Sequence, residues 1–198
     1  KFVVSYIGTL GQAHGLVTVL QAAAQLRETL PDAVFLLVGE GAEKEQLVAM
    51  ASERGLDNVR FLPQQPRESI PALIRASDVC LVTLKKADVF KTVIPSKMLE
   101  FMACGRPIVL AVDGQARQLL EDAQCGIYVE PEDVSSLAGA IMRLYHDGPL
   151  RQTLGCGGRG YVAQNLSRES TAREYISVLE QVVHGKGRLD GELLERAA

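Results

Sequence analysis

Apolar runs that end in a glycine or a polar loop recur along this chain, and stretches of helical periodicity separate them. Phe2 to Gly8 reads FVVSYIG and Ala33 to Gly39 reads AVFLLVG; VCLVTL follows from Val79 to Leu84 and PIVLA from Pro107 to Ala111. Between the first two runs, Leu16, Val19, Leu20, Ala23, Leu26 and Leu30 recur at the spacing of one helix face. Strands that are apolar at nearly every position need cover on both faces. Alternating with helices, they predict a parallel sheet.

The same reading predicts helices over 42–53, 69–76, 96–104 and 115–122, and further strands over 58–62 and 126–130. Another helix carries Val134, Leu137, Ala138, Ile141 and Tyr145. Two more fill 150–164 and 169–183, the last with Tyr175, Val178, Leu179, Val182 and Val183 on one stripe. The stripes holding Tyr145 and Tyr175 read as core faces. The fold class is α/β: a doubly wound parallel sheet, Rossmann-like, with extra C-terminal helices. In this reading residues 1–184 form the domain and 185–198 a flexible tail.

With 198 residues, 47% of them apolar, the chain can bury a sizeable core. A net charge of −3 gives no global basic field, which argues against nucleic acid as a partner. No run reaches the ~20 apolar residues of a membrane span, and no secretory pattern opens the sequence. Cys80, Cys104, Cys125 and Cys156 lack C-x-x-C or paired-His spacing, so they read as reduced core thiols rather than metal ligands. A cytoplasmic protein is expected. The first residue is Lys1, at the edge of a strand, and a piece of a longer chain is expected.

In an open parallel sheet, ligands bind beyond the carboxyl ends of the strands. Those ends deliver GTLGQAHG (Gly8 to Gly15), GEG (Gly39 to Gly41), LPQQP (Leu62 to Pro66), KKADVFKTVIPSK (Lys85 to Lys97) and VDG (Val112 to Gly114). A glycine-rich loop between strand and helix lets backbone amides approach a phosphate. The glycines at Gly8, Gly11 and Gly15 do not make G-x-G-x-x-G, and the Gly-Lys-Ser/Thr of a P-loop is absent. A plain strand-to-helix turn explains the loop equally well. Gly39, followed by Glu40, ends the second strand, where a nicotinamide dinucleotide site asks for an acidic residue. His14, opening the first helix, donates to a phosphate fully only when protonated. The serines lack a G-x-S-x-G elbow, so nucleophilic hydrolysis has no support.

Pro95, then Ser96, then an apolar-periodic run to Gly105, marks a helix start and stop. Its first turn offers unpaired amides and the positive end of the helix dipole, and Lys85, Lys86, Lys91 and Lys97 crowd the same neighbourhood. That is a place for an anion. Lys97 is the telling residue, because the dipole disfavours a cation there unless an anion lies between. Taken singly, Lys85, Lys86 and Lys91 read as a solvated loop. Glu100 is stabilised by the dipole as a structural residue; it is also placed to accept hydrogen bonds from sugar hydroxyls.

GTLGQAHG, VFLLVGEG, NVRFLP, ASDVCLVTL and IPSKMLEFMACGRPIV occur here in that order. Together they resemble the carboxy-terminal, nucleotide-sugar-binding domain of the GT-B glycosyltransferases of family 4, the retaining group 1 transferases. The resemblance spans about Phe2 to Val183. Its most specific part is PSKMLEFMACGRPIV, in a variant similar to the bacterial L-fucosamine and O-antigen or capsule sugar transferases. It implies a donor nucleotide sugar, with UDP as the expected carrier, and no metal or other cofactor. The implied donor set is Gly8, Thr9, Gly11, His14, Gly39, Phe61, Leu62, Thr92, Ile94, Pro95, Ser96, Lys97 and Glu100. Within it, the glycine-rich loop and the amides of 95–97 hold the diphosphate. Glu100 matches the second glutamate of E-x7-E, on the ribose, and the base lies near Phe61 to Gln64. Lys97 and Glu100 are the implied catalytic residues.

Two departures from the family pattern stand out. Thr92 occupies the place of the first glutamate of E-x7-E, and the usual Gly-Arg and Lys-Gly of the first loop are Gly8-Thr9 and His14-Gly15. Lys97, with Lys85 or Arg106, would compensate for the missing phosphate cations. The resemblance further implies a missing amino-terminal domain that carries most acceptor contacts, so the chain alone binds donor and turns over little. The acceptor is then a glycan or lipid-linked glycan of a bacterial surface polysaccharide. The transfer is of hexosyl or N-acetylhexosaminyl type, and the full-length protein lies in the cytoplasm or at the inner face of the plasma membrane. The last amphipathic helix would cross onto the missing domain, so its stripe could drive self-association. Two alternatives remain open: a nucleotide-sugar epimerase of the same architecture, and a catalytically silent binding or assembly module.

Overall fold

In the computed structural model, which describes residues 1–183, Phe2–Ile7 forms β1, a strand paired on both sides. The tail assigned to 185–198 lies outside the described residues. Five more strands follow: β2 (Ala33–Val38), β3 (Val59–Leu62), β4 (Val79–Thr83), β5 (Ile108–Ala111) and β6 (Gly126–Tyr128). Every pairing is parallel, and the order across the sheet is β3-β2-β1-β4-β5-β6. The chain thus builds outward from β1 to β3, returns to place β4 against β1, and builds outward again. The gap between the loops of β1 and β4 is the switch point where such sheets open a crevice.

The strands alternate with α1 (Leu16–Leu26), α2 (Lys44–Glu53), α3 (Ile70–Ala76), α4 (Ser96–Ala103), α5 (Gln115–Asp122) and α6 (Val134–His146). All of these belong to a unit that runs from Lys1 to Tyr161; α7 (Gly148–Asn165) begins in it and ends in a second unit, which also holds α8 (Arg168–Val183). Phe2, Val4 and Tyr6 on β1 share one face of the sheet with Val79, Leu81, Val109 and Ala111. There they pack with Leu16 and Leu20 of α1, Leu47 of α2 and Ile141 of α6. The residues between them, Cys80, Val82, Ile108 and Leu110, are buried as well, so these strands are apolar because both of their faces are covered.

α4 shows how the sequence sets an element that carries the site. Met98, Phe101 and Met102 recur at helical spacing and are completely buried, while Pro95 at φ −63° directs the chain into the first turn. At the other end Gly105 adopts φ +67°, its amide bonds to Met102 O at 2.9 Å, and the amide of Arg106 bonds to Phe101 O at 3.1 Å. This is a Schellman ending, for which glycine is the favoured residue. The helix is fixed at both ends, and its buried face sets which residues turn toward the strand edge.

Beyond the strands the ladder continues. The amide of Gly8 bonds to Val38 O at 2.9 Å, that of Gly39 to Leu62 O at 3.1 Å and that of Leu10 to Glu40 O at 2.8 Å, so the first loop is stitched to the second. The approach is close enough that a Cβ on Gly39, at φ +146°, would lie 2.0 Å from Gly8 O.

Several sequence-based expectations change. Three short 3₁₀ turns, at Gln12–His14, Arg67–Ser69 and Asp88–Thr92, carry no periodicity long enough to read. His14 closes the first of them and does not open α1; Gly15, at φ +60°, stands between. The strand expected over 126–130 ends at Tyr128. Of the four cysteines only Cys80 and Cys125 are buried, with burial pushing both thiols up to about 12; Cys104 is half-buried and Cys156 exposed. Within the first unit, α7 packs through buried Gly155 and Gly158, which leaves Cys156 outside. Tyr145 does pack on the core, its ring 5.0 Å from that of Phe2, whereas Tyr175 is 66% exposed and the described α8 buries no residue. Periodicity tells which residues share a face, not what covers it.

Replacing Gly39 by Ala should destabilise the chain by about 2 kcal/mol or more, since strain adds to a backbone clash. Gly139→Ala, inside α6 with open space around it, should stabilise by about 0.5–1 kcal/mol. Urea unfolding of the two variants beside the parent chain measures both.

Candidate functional site

A cleft of about 640 Å³ opens at the carboxyl ends of the strands. It lies within the range of about 300–1,000 Å³ usual for ligand pockets. Its polar lining comprises Thr9 and His14 from the first loop, Glu40, Gln64, Gln65 and Arg67 from the second and third, and Ser96, Lys97 and Glu100 from α4. Gly8, Gly39 and Pro95 contribute backbone, and Ile7, Val38, Ile70, Leu84 and Val93 give apolar wall. Parallel register makes this convergence: Ile7 pairs with Val38 and Val38 with Leu62, so three strands release their loops at one level.

Lys97 is the electrostatic centre. Its ammonium donates to Tyr6 Oη at 2.8 Å and sits 4.0 Å from the centre of the Tyr6 ring. It occupies the space above Gly8 so closely that a Cβ there would lie 2.6 Å from Nζ. Burial lowers its pKa from 10.5 to about 8. The group that meets this charge is a neutral phenol, so the positive charge is only partly compensated. Helix geometry also leaves the amides of Ser96 and Lys97 without an i−4 carbonyl. Ammonium and amides together form a site for an oxyanion.

His14 lines the same cleft with a pKa lowered by burial, then by the charge of Lys97, and partly restored by a hydrogen bond with the Thr83 backbone. Its Nδ1 is buried and, among the described residues, has no hydrogen-bond partner. A neutral imidazole beside an ammonium avoids like-charge repulsion, and only the protonated form would meet a phosphate as a cation. Glu100 lies on α4 one turn beyond Lys97, exposed and facing the cleft. Glu40 is held by Lys44 at 2.6 Å, which keeps its carboxyl below the usual carboxylate range.

Of the residues expected here, the structure brings Gly8, Thr9, His14, Gly39, Pro95, Ser96, Lys97 and Glu100 together. Gly11, Phe61, Leu62, Thr92 and Ile94 do not line the cleft. Thr92 ends its 3₁₀ turn with its hydroxyl donating to Val89 O at 3.3 Å, and Phe61 and Leu62 remain in β3. The Gly8 amide, already bonded to Val38 O, is not free for a phosphate. Nor do the lysines form one cluster. Lys85, Lys86 and Lys91 line a separate hollow of about 360 Å³ with Asp88, Asp113 and Glu130. In it Lys86 pairs with Glu130 at 2.7 Å and Lys91 with Asp88 at 2.8 Å. Arg106, the other proposed compensating cation, donates to the backbone carbonyl of Arg75 instead. Gln65, which appears in the sequence reading only inside the LPQQP strand end, Arg67 and Tyr6 were given no role there. The first two follow the end of β3, a signal that was available; Tyr6 is hidden in an apolar run.

The profile of the group 1 glycosyl transferases matches residues 1–161. The chain belongs to this family. Its sequence is 32% identical over 180 residues to WcaI of Escherichia coli K12, whose name refers to a colanic acid biosynthesis glycosyl transferase; the match covers 89% of this chain and 42% of WcaI. HepE of Anabaena, solved in complex with UDP and glucose, superposes with a TM-score of 0.76 at 26% identity over 91% of this chain and 48% of its own. The C-terminal domain of the group 1 protein LpcC from Francisella tularensis superposes with a TM-score of 0.72 at 22% identity, covering 85% of this chain and 87% of that domain. The chain thus spans about half the length of the first two and nearly all of the isolated domain. The GT-B C-terminal-domain fold follows, with a doubly wound Rossmann-like sheet as its core. No described helix is long and apolar enough to cross a membrane.

Because the folded pKa of Lys97, about 8, lies below its ordinary 10.5, the unfolded chain binds the extra proton between those values. Stability of the ligand-free chain should therefore rise as pH increases from about 8 toward 10.5, and the buried ammonium should cost stability below about pH 8. Lys97→Met should abolish that rise and raise stability at pH 7 by roughly 1–3 kcal/mol, read from urea midpoints across the pH range.

Proposed function

We propose that this chain is the donor-binding half of a retaining glycosyltransferase that takes its sugar from a UDP-sugar. The observation that carries this reading is the Lys97 ammonium, buried over Gly8 beside the first-turn amides of α4 and, among the described residues, lacking an anionic partner. A diphosphate supplies that partner. The base then extends toward Gln64 and Gln65, and Glu100 accepts from ribose hydroxyls. Support for UDP comes from HepE, whose solved complex contains it. A bacterial surface polysaccharide is the proposed destination of the acceptor, and the support for a biosynthetic role of this kind is the name of WcaI, which refers to colanic acid biosynthesis.

In this reading the sugar–phosphate bond ionises toward an oxocarbenium while negative charge grows on the diphosphate. Lys97 and the amides of Ser96 and Lys97 meet that growing charge, and a fixed donor set pointed at developing charge is an effective way to lower such a barrier. The acceptor hydroxyl attacks from the face the diphosphate leaves, its oxygen forming the new glycosidic bond while its proton passes to the departing phosphate oxygen. Its contacts belong to the remainder of the full-length enzyme, without which the chain binds donor and turns over little.

Isothermal titration with UDP, GDP, ADP and NAD⁺ tests the reading. UDP should bind in preference to the others, and Glu100→Ala and Lys97→Ala should each weaken it about tenfold or more. Affinity should be level from about pH 6.5 to 8, then fall by up to tenfold per pH unit as Lys97 loses its proton. Equal, weak binding of all four, indifferent to both substitutions, would exclude a donor site.

A further inference from the structure

We infer that Tyr6 is the positioning residue for Lys97, and that its hydroxyl is what couples the phosphate-facing ammonium to the first loop. The inference rests on the donor-site reading above but is carried by separate geometry. Tyr6 Oη accepts a hydrogen bond from Lys97 Nζ at 2.8 Å and donates its own proton to Thr9 O at 2.8 Å. A single oxygen therefore joins α4 to the loop that follows β1. Both of its partners, Thr9 and Lys97, line the cleft, while Tyr6 itself does not.

A lysine has four rotatable bonds and would sample many positions in an open cleft. Tyr6 removes that freedom in two ways. Its ring is wholly buried in the core under α1 and α6, so its oxygen is placed by packing and not by the ligand. The ammonium also lies 4.0 Å from the ring centre, within cation–π range, so the ring and the hydroxyl hold Nζ together. Gly8 completes the arrangement, since any side chain there would occupy the space of Nζ. A phenylalanine would fill the core equally well; only the hydroxyl distinguishes a residue that positions Lys97 from one that merely packs.

The charged and titratable groups facing Lys97 make the effect separable. Tyr6 comes from β1, and burial raises its pKa, so it is neutral at any working pH. His14 comes from the turn before α1, Glu100 from α4 itself, and Glu40 and Arg67 from the far side of the cleft. Of these, only the Tyr6 side chain bonds directly to Nζ. Losing that acceptor leaves the ammonium less well solvated and should lower its pKa further.

Two measurements on the full chain test this. First, the Lys97 Nζ resonance is titrated by NMR in the ligand-free parent and in Tyr6→Phe, a readout that needs no nucleotide. The pKa should fall in the variant; an unchanged value in a folded variant would overturn the inference whatever the protein binds. Second, UDP affinity is compared for the parent, Tyr6→Phe, Lys97→Met and the double variant. Tyr6→Phe should weaken UDP about tenfold in the parent and leave it unchanged in the Lys97→Met background, because it acts through Lys97. An equal loss in both backgrounds would make Tyr6 a packing residue and overturn the inference. UDP binding that ignores Lys97→Met while the NMR pKa still moves would instead sink the donor-site reading and leave the Tyr6–Lys97 coupling standing.

Discussion

The parallel pairing of β1 with β2 on one side and β4 on the other is the constraint on which the rest of the structure depends. It puts the first strand at the middle of the sheet, where both faces are buried and its register is fixed from both edges. The register then runs on past the strand: Gly8 and Leu10 bond to Val38 and Glu40, so the first loop leaves the sheet as a stitched extension and not as a free turn. Tyr6 inherits that rigidity. Because its ring is locked in the core, its oxygen becomes a fixed point behind the cleft lining, and both Thr9 and Lys97 are set from it.

Two cation-bearing hollows share the strand-end edge, and physical chemistry separates them. Around Lys86 and Lys91 each ammonium has a carboxylate partner in contact with solvent, an arrangement worth little and easily screened. Lys97 instead has a phenol, an aromatic face and a helix N-terminus around it, and burial draws its pKa down toward neutrality. A buried charge with neutral partners costs the empty protein stability, and that cost is relieved when an anion arrives. Functional sites are where such unbalanced groups are expected to lie. The Gly8–Thr9 and His14–Gly15 variations of the first loop fit the same logic. A cation at Thr9 or a charged His14 would crowd an ammonium that already occupies the space over Gly8.

The alternation of apolar runs with helical stripes was enough to read the sheet, its parallel sense and most element limits, because burial on both faces leaves a mark on every residue of β1, β4 and β5. Ser96 was legible as the first residue of α4 because proline and glycine punctuate that helix at both ends. The stripe on α8 was equally clear, yet its exposure was not, since a periodic pattern encodes a face and not its partner. The short turns at Gln12–His14 and Asp88–Thr92 escaped, and with them the true places of His14 and Thr92.

By itself, then, the sequence determined the fold class, the edge of the sheet where a ligand would lie, and Lys97 with Glu100 on one helix beside it. These follow from local rules, periodicity and capping, that act within a few residues. Only the tertiary structure decided which lysine is buried and which are paired on the surface, that Arg106 turns to Arg75, and that Tyr6 is the group beneath Lys97. Tyr6 and Lys97 lie 91 residues apart, and their contact depends on the crossover that returns β4 to β1's side. Burial and charge compensation are properties of neighbours in space, so no local pattern along the chain records them.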